Sequence, residues 1–556
     1  MTILAALAVV GLAIAIPVAL RHAPPPAPAP NAGPSTGSDE GGASGPTVFR
    51  FYQEDPGTID PALASDSYSS AVVAQIYSPL VGLTSDLEPT PQVAESWTIS
   101  HDGLRYVFHI RPGVRFHNGR EVTADDFVYS LTRVFREPYR SQGLAAGYLD
   151  AIQGARAYIE GKADRVSGIR ALSRYMLEIR LERPYSALLS ALALDQTSAV
   201  PREMIEKDGP QALDTHPVGT GPFRFVRREG HQAVVLAANP DYFMGRPAID
   251  TLIFYSPNGD VTTMGAEALL EGRATLSLLP SGRIEEFRAR PGIAVLKWND
   301  LSLSFIGMNA AKPPLNDVRV RKAIALAMDR QGMLNQRPEG KSLATGILPP
   351  GLPGYEPSQK TYVRDVNAAR KLLAEAGYTP EHPLPGLTLV QSIGSKDTRA
   401  VDSTLVASLA EAGIRVTIRP ASWTVLDSLI TNRKAELFGL GWVADIPDPD
   451  TFLRALFYST SSTNYFDFHD RTVDSLLDQA RATTNPDVRM EAYHQAEDRI
   501  LREAPFVPLT NTASFIGIRD DVVGLQMNPL GLSTLAIEKL HFAHTEPGDD
   551  GRRATR

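Results

Sequence analysis

The 556-residue chain has no cysteine. That excludes a disulfide framework, a thiolate metal site, a cysteine nucleophile and a lipid carried on an N-terminal cysteine. It also lacks a basic surplus: 55 Lys and Arg stand against 63 Asp and Glu, a net charge of -8. Nucleic-acid binding normally needs a clustered basic face, so no nucleic-acid partner is expected. Catalytic signatures are missing too. Beyond residue 46 there is no G-x-S-x-G elbow, and the chain has no G-x-x-x-x-G-K-[ST] phosphate loop and no H-E-x-x-H, the signatures of common hydrolases, ATPases and zincins. Gly219-Thr-Gly221 is cut short by Pro222 and reads as a turn rather than a dinucleotide fingerprint. Asp445-Ile-Pro-Asp448-Pro-Asp450 crowds three carboxylates together, but counting from Asp445 puts Asp450 where an EF-hand needs Gly and Leu456 where it needs Glu. The eleven histidines include no i, i+4 pair and are expected on the surface or packed. No metal, no cofactor and no internal repeat is expected.

What is present sets the organisation. Ile3 to Leu20 is uncharged and apolar and ends at Arg21-His22. It is longer than the roughly 7 to 15 apolar residues of a signal peptide and just reaches the roughly 18 to 20 that span a bilayer. Residues 1–22 are therefore expected to be a signal peptide or membrane anchor. Residues 23–46 open with Pro-Pro-Pro-Ala-Pro-Ala-Pro, which is stiff, and continue rich in Gly and Ser, which is flexible; they read as a tether. The body starts near Thr47, and the polar residues 544–556 read as a frayed tail. At 43% apolar and 21% charged the chain as a whole has a globular composition, and its length exceeds the roughly 250 to 300 residues at which one core stops growing, so two lobes are expected.

Strand and helix patterns alternate through the body. Leu104, Tyr106, Phe108 and Ile110 follow a period of two between Asp102-Gly103 and Asn118-Gly119, which predicts an antiparallel meander over 93–122. Thr123-Ala-Asp-Asp126 predicts a capped helix start. Ala369, Leu372, Leu373 and Ala376 before Gly377, and Val473, Leu476, Leu477 and Ala480, have helical spacing. A helix from about Ser403 to Gly413 feeds a strand at Ile414, Val416 and Ile418. The class is α/β.

Three blocks carry a resemblance. The first is Ala94-Glu-Ser-Trp97, Asp102-Gly103, Phe108 to Gly119 and Thr123 to Phe127; the second is Pro217 to Phe223 with Pro313 to Ala323 and Asp329-Arg330; the third is Gly441 to Leu453 with Asn464. In order and spacing they are similar to the family 5 extracellular solute-binding proteins, which include the oligopeptide- and dipeptide-binding components of ABC importers. The resemblance implies a two-lobed periplasmic-binding-protein (flytrap) fold with an extra subdomain inserted in lobe one. On that plan 47–84, 212–300 and 512–543 form lobe I, 85–211 the inserted subdomain and 301–511 lobe II, with crossings at Leu301 to Asn309 and Pro508 to Ile518. It further implies a non-enzymatic monomer in the periplasm or at the cell surface. Such a protein captures short peptides by hinge closure and delivers them to membrane permease subunits served by separate ATPases. By the motif, Asp445 would hold the ligand's α-amino group, Trp442 and Trp423 would wall side-chain pockets, and Asn464 and Tyr465 would add contacts from the following loop. The same scaffold carries opines, oligosaccharides, metal chelates or haem in some members; a secreted hydrolase is the alternative from another class.

Overall fold

The computed structural model describes residues 46–543 except 338, 359–360 and 394–395. The apolar segment 3–20, the tether up to residue 45 and the tail 544–556 lie outside the described residues. Among the described residues no helix is long and apolar enough to cross a membrane.

Twelve strands form one continuous sheet with two similar halves. In one half Val48–Tyr52 runs parallel to Thr251–Tyr255 and to Leu276–Leu278, and antiparallel Ala233–Ala238 and Phe223–Glu229 extend the edge. In the other, Leu387–Ser392 runs parallel to Val416–Ala421 and Leu437–Val443, and Ser302–Met308 lies antiparallel beside the last. Parallel strands need covering on both faces, and helices such as Val318–Ala327, Val366–Glu375 and Lys396–Glu411 run between the strands here. Two separate apolar clusters serve each half, so the body has two lobes.

One strand joins them. Phe506–Arg519 pairs through Phe506 to Thr510 with Ser302–Met308 and through Ala513 to Arg519 with Ile293–Asn299. The chain thus crosses twice, outward through Asp300-Leu301 and back along this 14-residue strand, and the two passages are hydrogen-bonded side by side. The expected crossings fall here. The ladder slips register between Ser304 and Phe305, where Pro508 offers no N–H.

A third body is built on the first lobe. Its antiparallel sheet has the order Ala94–Ile99, Arg105–Ile110, Met176–Arg180, Ile169–Ser173, and it has its own apolar cluster centred on Phe108, Phe116 and Phe127. The 93–122 meander appears as the hairpin of the first two strands and an isolated bridge from Arg115 to Glu121. The helix Ala124–Arg133 starts as its sequence predicts: Asp126 turns back to accept the Thr123 N–H at 2.8 Å and also receives Arg120 at 2.7 Å. At its far end buried Arg133 pairs with fully buried Asp60 of the first lobe. His117 is not a solvated turn residue. Its ring meets the Gly221 carbonyl at 3.0 Å, and burial pushes its pKa down to about 4. The Gly219 to Gly221 turn lies so close to the Ile76 carbonyl that a Cβ at either glycine would sit 2.0 to 2.8 Å from backbone atoms; these glycines serve docking between elements.

Candidate functional site

The strand Leu437–Val443 ends at the junction of the second lobe and the inserted body, and the acidic loop follows it directly. Its three carboxylates meet different fates. Asp448 is buried, caps the turn through the Asp450 N–H at 2.9 Å and pairs with Arg489 at 2.5 Å. Asp450 is buried against Arg481 at 3.4 Å and accepts from the Tyr493 hydroxyl at 3.3 Å. Both are neutralised inside the protein, so their crowding needs no cation, and among the described residues no cluster of His, Cys, Asp and Glu fits a metal. Asp445 instead lines a cavity of about 140 Å³ between the lobes. One of its oxygens accepts the Tyr148 hydroxyl of the inserted body at 2.6 Å, and among the described residues no cation pairs with it. Its surface is reachable by solvent, yet the cleft surrounds it with protein. Burial accordingly raises its pKa, and the Tyr148 bond offsets part of the rise. The next residue, Ile446, is 1% exposed and belongs to the apolar cluster of the inserted body, so the loop is clamped across the cleft.

The remaining expected contacts lie on the second lobe and do not join Asp445 in this cavity. Trp442 is half-buried, packs on that lobe's core and donates its indole N–H to the Thr451 carbonyl at 2.7 Å. Trp423 begins the helix Trp423–Thr431 and is 59% exposed. Tyr465 is half-buried, with the Arg433 guanidinium 5.7 Å from its ring centre. Asn464 is 2% exposed; its amide donates to the Phe468 carbonyl at 2.7 Å and to the Tyr458 carbonyl at 3.3 Å. It fixes its own loop, and its donors are already used.

The opposite wall went unseen in the sequence. It comes from the inserted body, where Leu144, Ser190, Ala193, Leu194, Asp195 and Gln196 line the cavity. Their one signal is an isolated carboxylate inside the largely apolar run Ala187 to Val200. Past Tyr148 a larger polar cavity of about 560 Å³ opens, lined by Arg183, Arg454 and Arg481 among others. Each of these arginines lies beside a carboxylate, of Asp150, Asp478 and Asp450 respectively.

Two lobes on a paired-strand hinge, with a partly satisfied carboxylate in the cavity between them, define a solute-binding protein. Comparison with known proteins agrees. The profile of the bacterial extracellular solute-binding proteins, family 5 Middle, matches residues 88–464, and the chain belongs to that family. It is 32% identical over 460 residues to a probable di/tripeptide-binding protein 5 of Pseudomonas aeruginosa, covering 79% of this chain and 85% of that one. It is 29% identical over 501 residues to heme-binding protein A of Haemophilus influenzae, covering 86% and 89%. Among solved structures it resembles the ABC transporter-associated periplasmic binding protein DppA of Helicobacter pylori in complex with the peptide STSA, at a TM-score of 0.72 and 27% identity over 89% of this chain and 98% of that one. The fold is the two-lobed periplasmic-binding-protein fold with an inserted subdomain.

Proposed function

We propose that the chain captures short peptides outside the cytoplasmic membrane, closes its lobes over them and presents them to the permease of an ABC importer, catalysing nothing itself. The observation that carries this is Asp445: a carboxylate in a cleft, answered among the described residues by a hydroxyl alone, is matched to an ammonium. The cavity-lining residues include no Lys, Arg or His, so the propionates of a haem would meet carboxylates there and no cation. Similarity to a dipeptide-type relative and to a peptide complex supports the same choice. Trp423 is exposed enough to stack on a ligand side chain, and Trp442 and Tyr465 would act as more remote walls. On this reading 47–84, 212–300 and 512–543 form lobe one, 85–211 the inserted subdomain and 301–511 lobe two. The segment 3–20 would direct the chain to the membrane or hold it there.

Isothermal calorimetry on the full chain with tri-alanine and penta-alanine, free and N-acetylated, tests the reading. Breaking one side of a buried pair costs about 3–5 kcal/mol, so acetylation or Asp445→Asn should each weaken binding by roughly two to three powers of ten. Equal affinity for free and acetylated peptides would overturn the role of Asp445, and peptide turnover in the cell would overturn the non-enzymatic reading.

A further inference from the structure

Asp195 and Gln196 sit on the wall opposite Asp445, in the short turn Asp195–Thr197. Among the described residues the Asp195 carboxylate has no hydrogen-bond or ionic partner, and burial alone pushes its pKa up to about 8. Gln196 is 4% exposed. Its amide nitrogen is committed to the Ala64 carbonyl, which fixes the orientation of the group and leaves Oε1 buried without a partner. Asp66 also lines the cavity, but it is occupied: it caps the helix Ser67–Ile76 through the Tyr68 and Ser69 N–H groups. What remains without a partner among the described residues is therefore the half-buried carboxyl group of Asp195 and, beside it, the buried amide oxygen of Gln196. A buried acceptor without a donor is costly, and among the described residues no cationic side chain lines this cavity. Leu144, Ala193 and Leu194 supply an apolar surface beside them, suited to the methylene stem of a long basic side chain whose head is charged.

We propose that Asp195 and Gln196 form a second cation-accepting subsite, so that the preferred ligands are short peptides with a Lys or Arg among their first two residues. The proposal rests on the assignment of the ligand's α-ammonium to Asp445. Because both carboxylates border one cavity of about 140 Å³, the second positive charge has to lie close to the first. At neutral pH Asp195 is largely protonated in the empty cleft, and an arriving ammonium displaces that proton to solvent.

The test compares Lys-Ala-Ala and Ala-Lys-Ala with the same peptides carrying norleucine, which keeps the stem and removes the charge, titrated into the full chain at pH 7.5. The lysine peptide should bind at least about tenfold more tightly at one of the two positions. It should also release roughly three-quarters of a proton more than its norleucine partner at this pH, read from titrations in buffers of different ionisation enthalpy. Asp195→Asn should abolish both differences. Equal affinity of lysine and norleucine peptides in the wild-type chain overturns the subsite whether or not the variant folds, as does a lysine preference that survives Asp195→Asn. If the norleucine peptides bind and show no discrimination, only the subsite falls; if no peptide binds, the peptide reading falls with it.

Discussion

Single carboxylates behave here according to what surrounds them. Glu497 is 1% exposed and accepts the Ile347 and Leu348 N–H groups, while its other oxygen has no partner among the described residues. Burial pushes its pKa from 4.5 up to about 7. The folded state therefore holds this proton over a range in which the unfolded chain has lost it. Its stabilising contribution is complete below about pH 4.5 and is lost as pH rises through about 7. Thermal unfolding of Glu497→Gln between pH 4.5 and 8 should show a flatter profile than wild type, with a difference on the order of 3 kcal/mol removed across the interval; parallel profiles would contradict it. None of this was legible from the sequence, where Glu497 is one acid among many on the helix Pro486–Glu503. Asp445 stood out as a candidate in the sequence because its neighbours form a motif. Asp195 did not stand out, because what marks it is its place opposite a loop 250 residues away.

Elements were easier to read than residues where local chemistry decides them. The hairpin at 94–110, the cap at Thr123 to Asp126 and the helix ending before Gly377 rest on turn residues, caps and periodicity within a few positions, and all three form where expected. The helix Ala124–Arg133 carries more than its cap, since Asp126 holds both the Thr123 N–H and Arg120. Asp126→Ala should lower stability by about 1–2 kcal/mol, seen as a lower midpoint in thermal unfolding with ligand affinity retained. The slip between Ser304 and Phe305 escaped sequence reading, as a bulge depends on the partner strand.

For the whole molecule, motif order announced two lobes, but the way they touch is a property of side chains far apart in the chain. Ile446 is 1% exposed among residues of the inserted body, and Tyr148 reaches across to Asp445; together they hold the cleft shut at one point. Ile446→Ala removes an apolar peg whose burial is worth roughly 2–4 kcal/mol. It should enlarge the radius of gyration of the ligand-free chain in small-angle X-ray scattering and weaken peptide binding about tenfold or more. An unchanged scattering profile would show that Ile446 does not hold the lobes together.

The paired crossing of Ile293–Asn299 and Ser302–Met308 with Phe506–Arg519 has a mechanical consequence. Two ladder-bonded ribbons resist stretching and sliding, because either would break a row of hydrogen bonds, but they yield to flexing and torsion, most readily where the slip at Ser304 and Phe305 leaves the row incomplete. The joint thus works as a leaf spring with one soft direction and several stiff ones. Every stroke of such a spring retraces the same arc, so the two walls of the cleft return to the same facing positions on each cycle, and geometric fidelity is stored in the backbone.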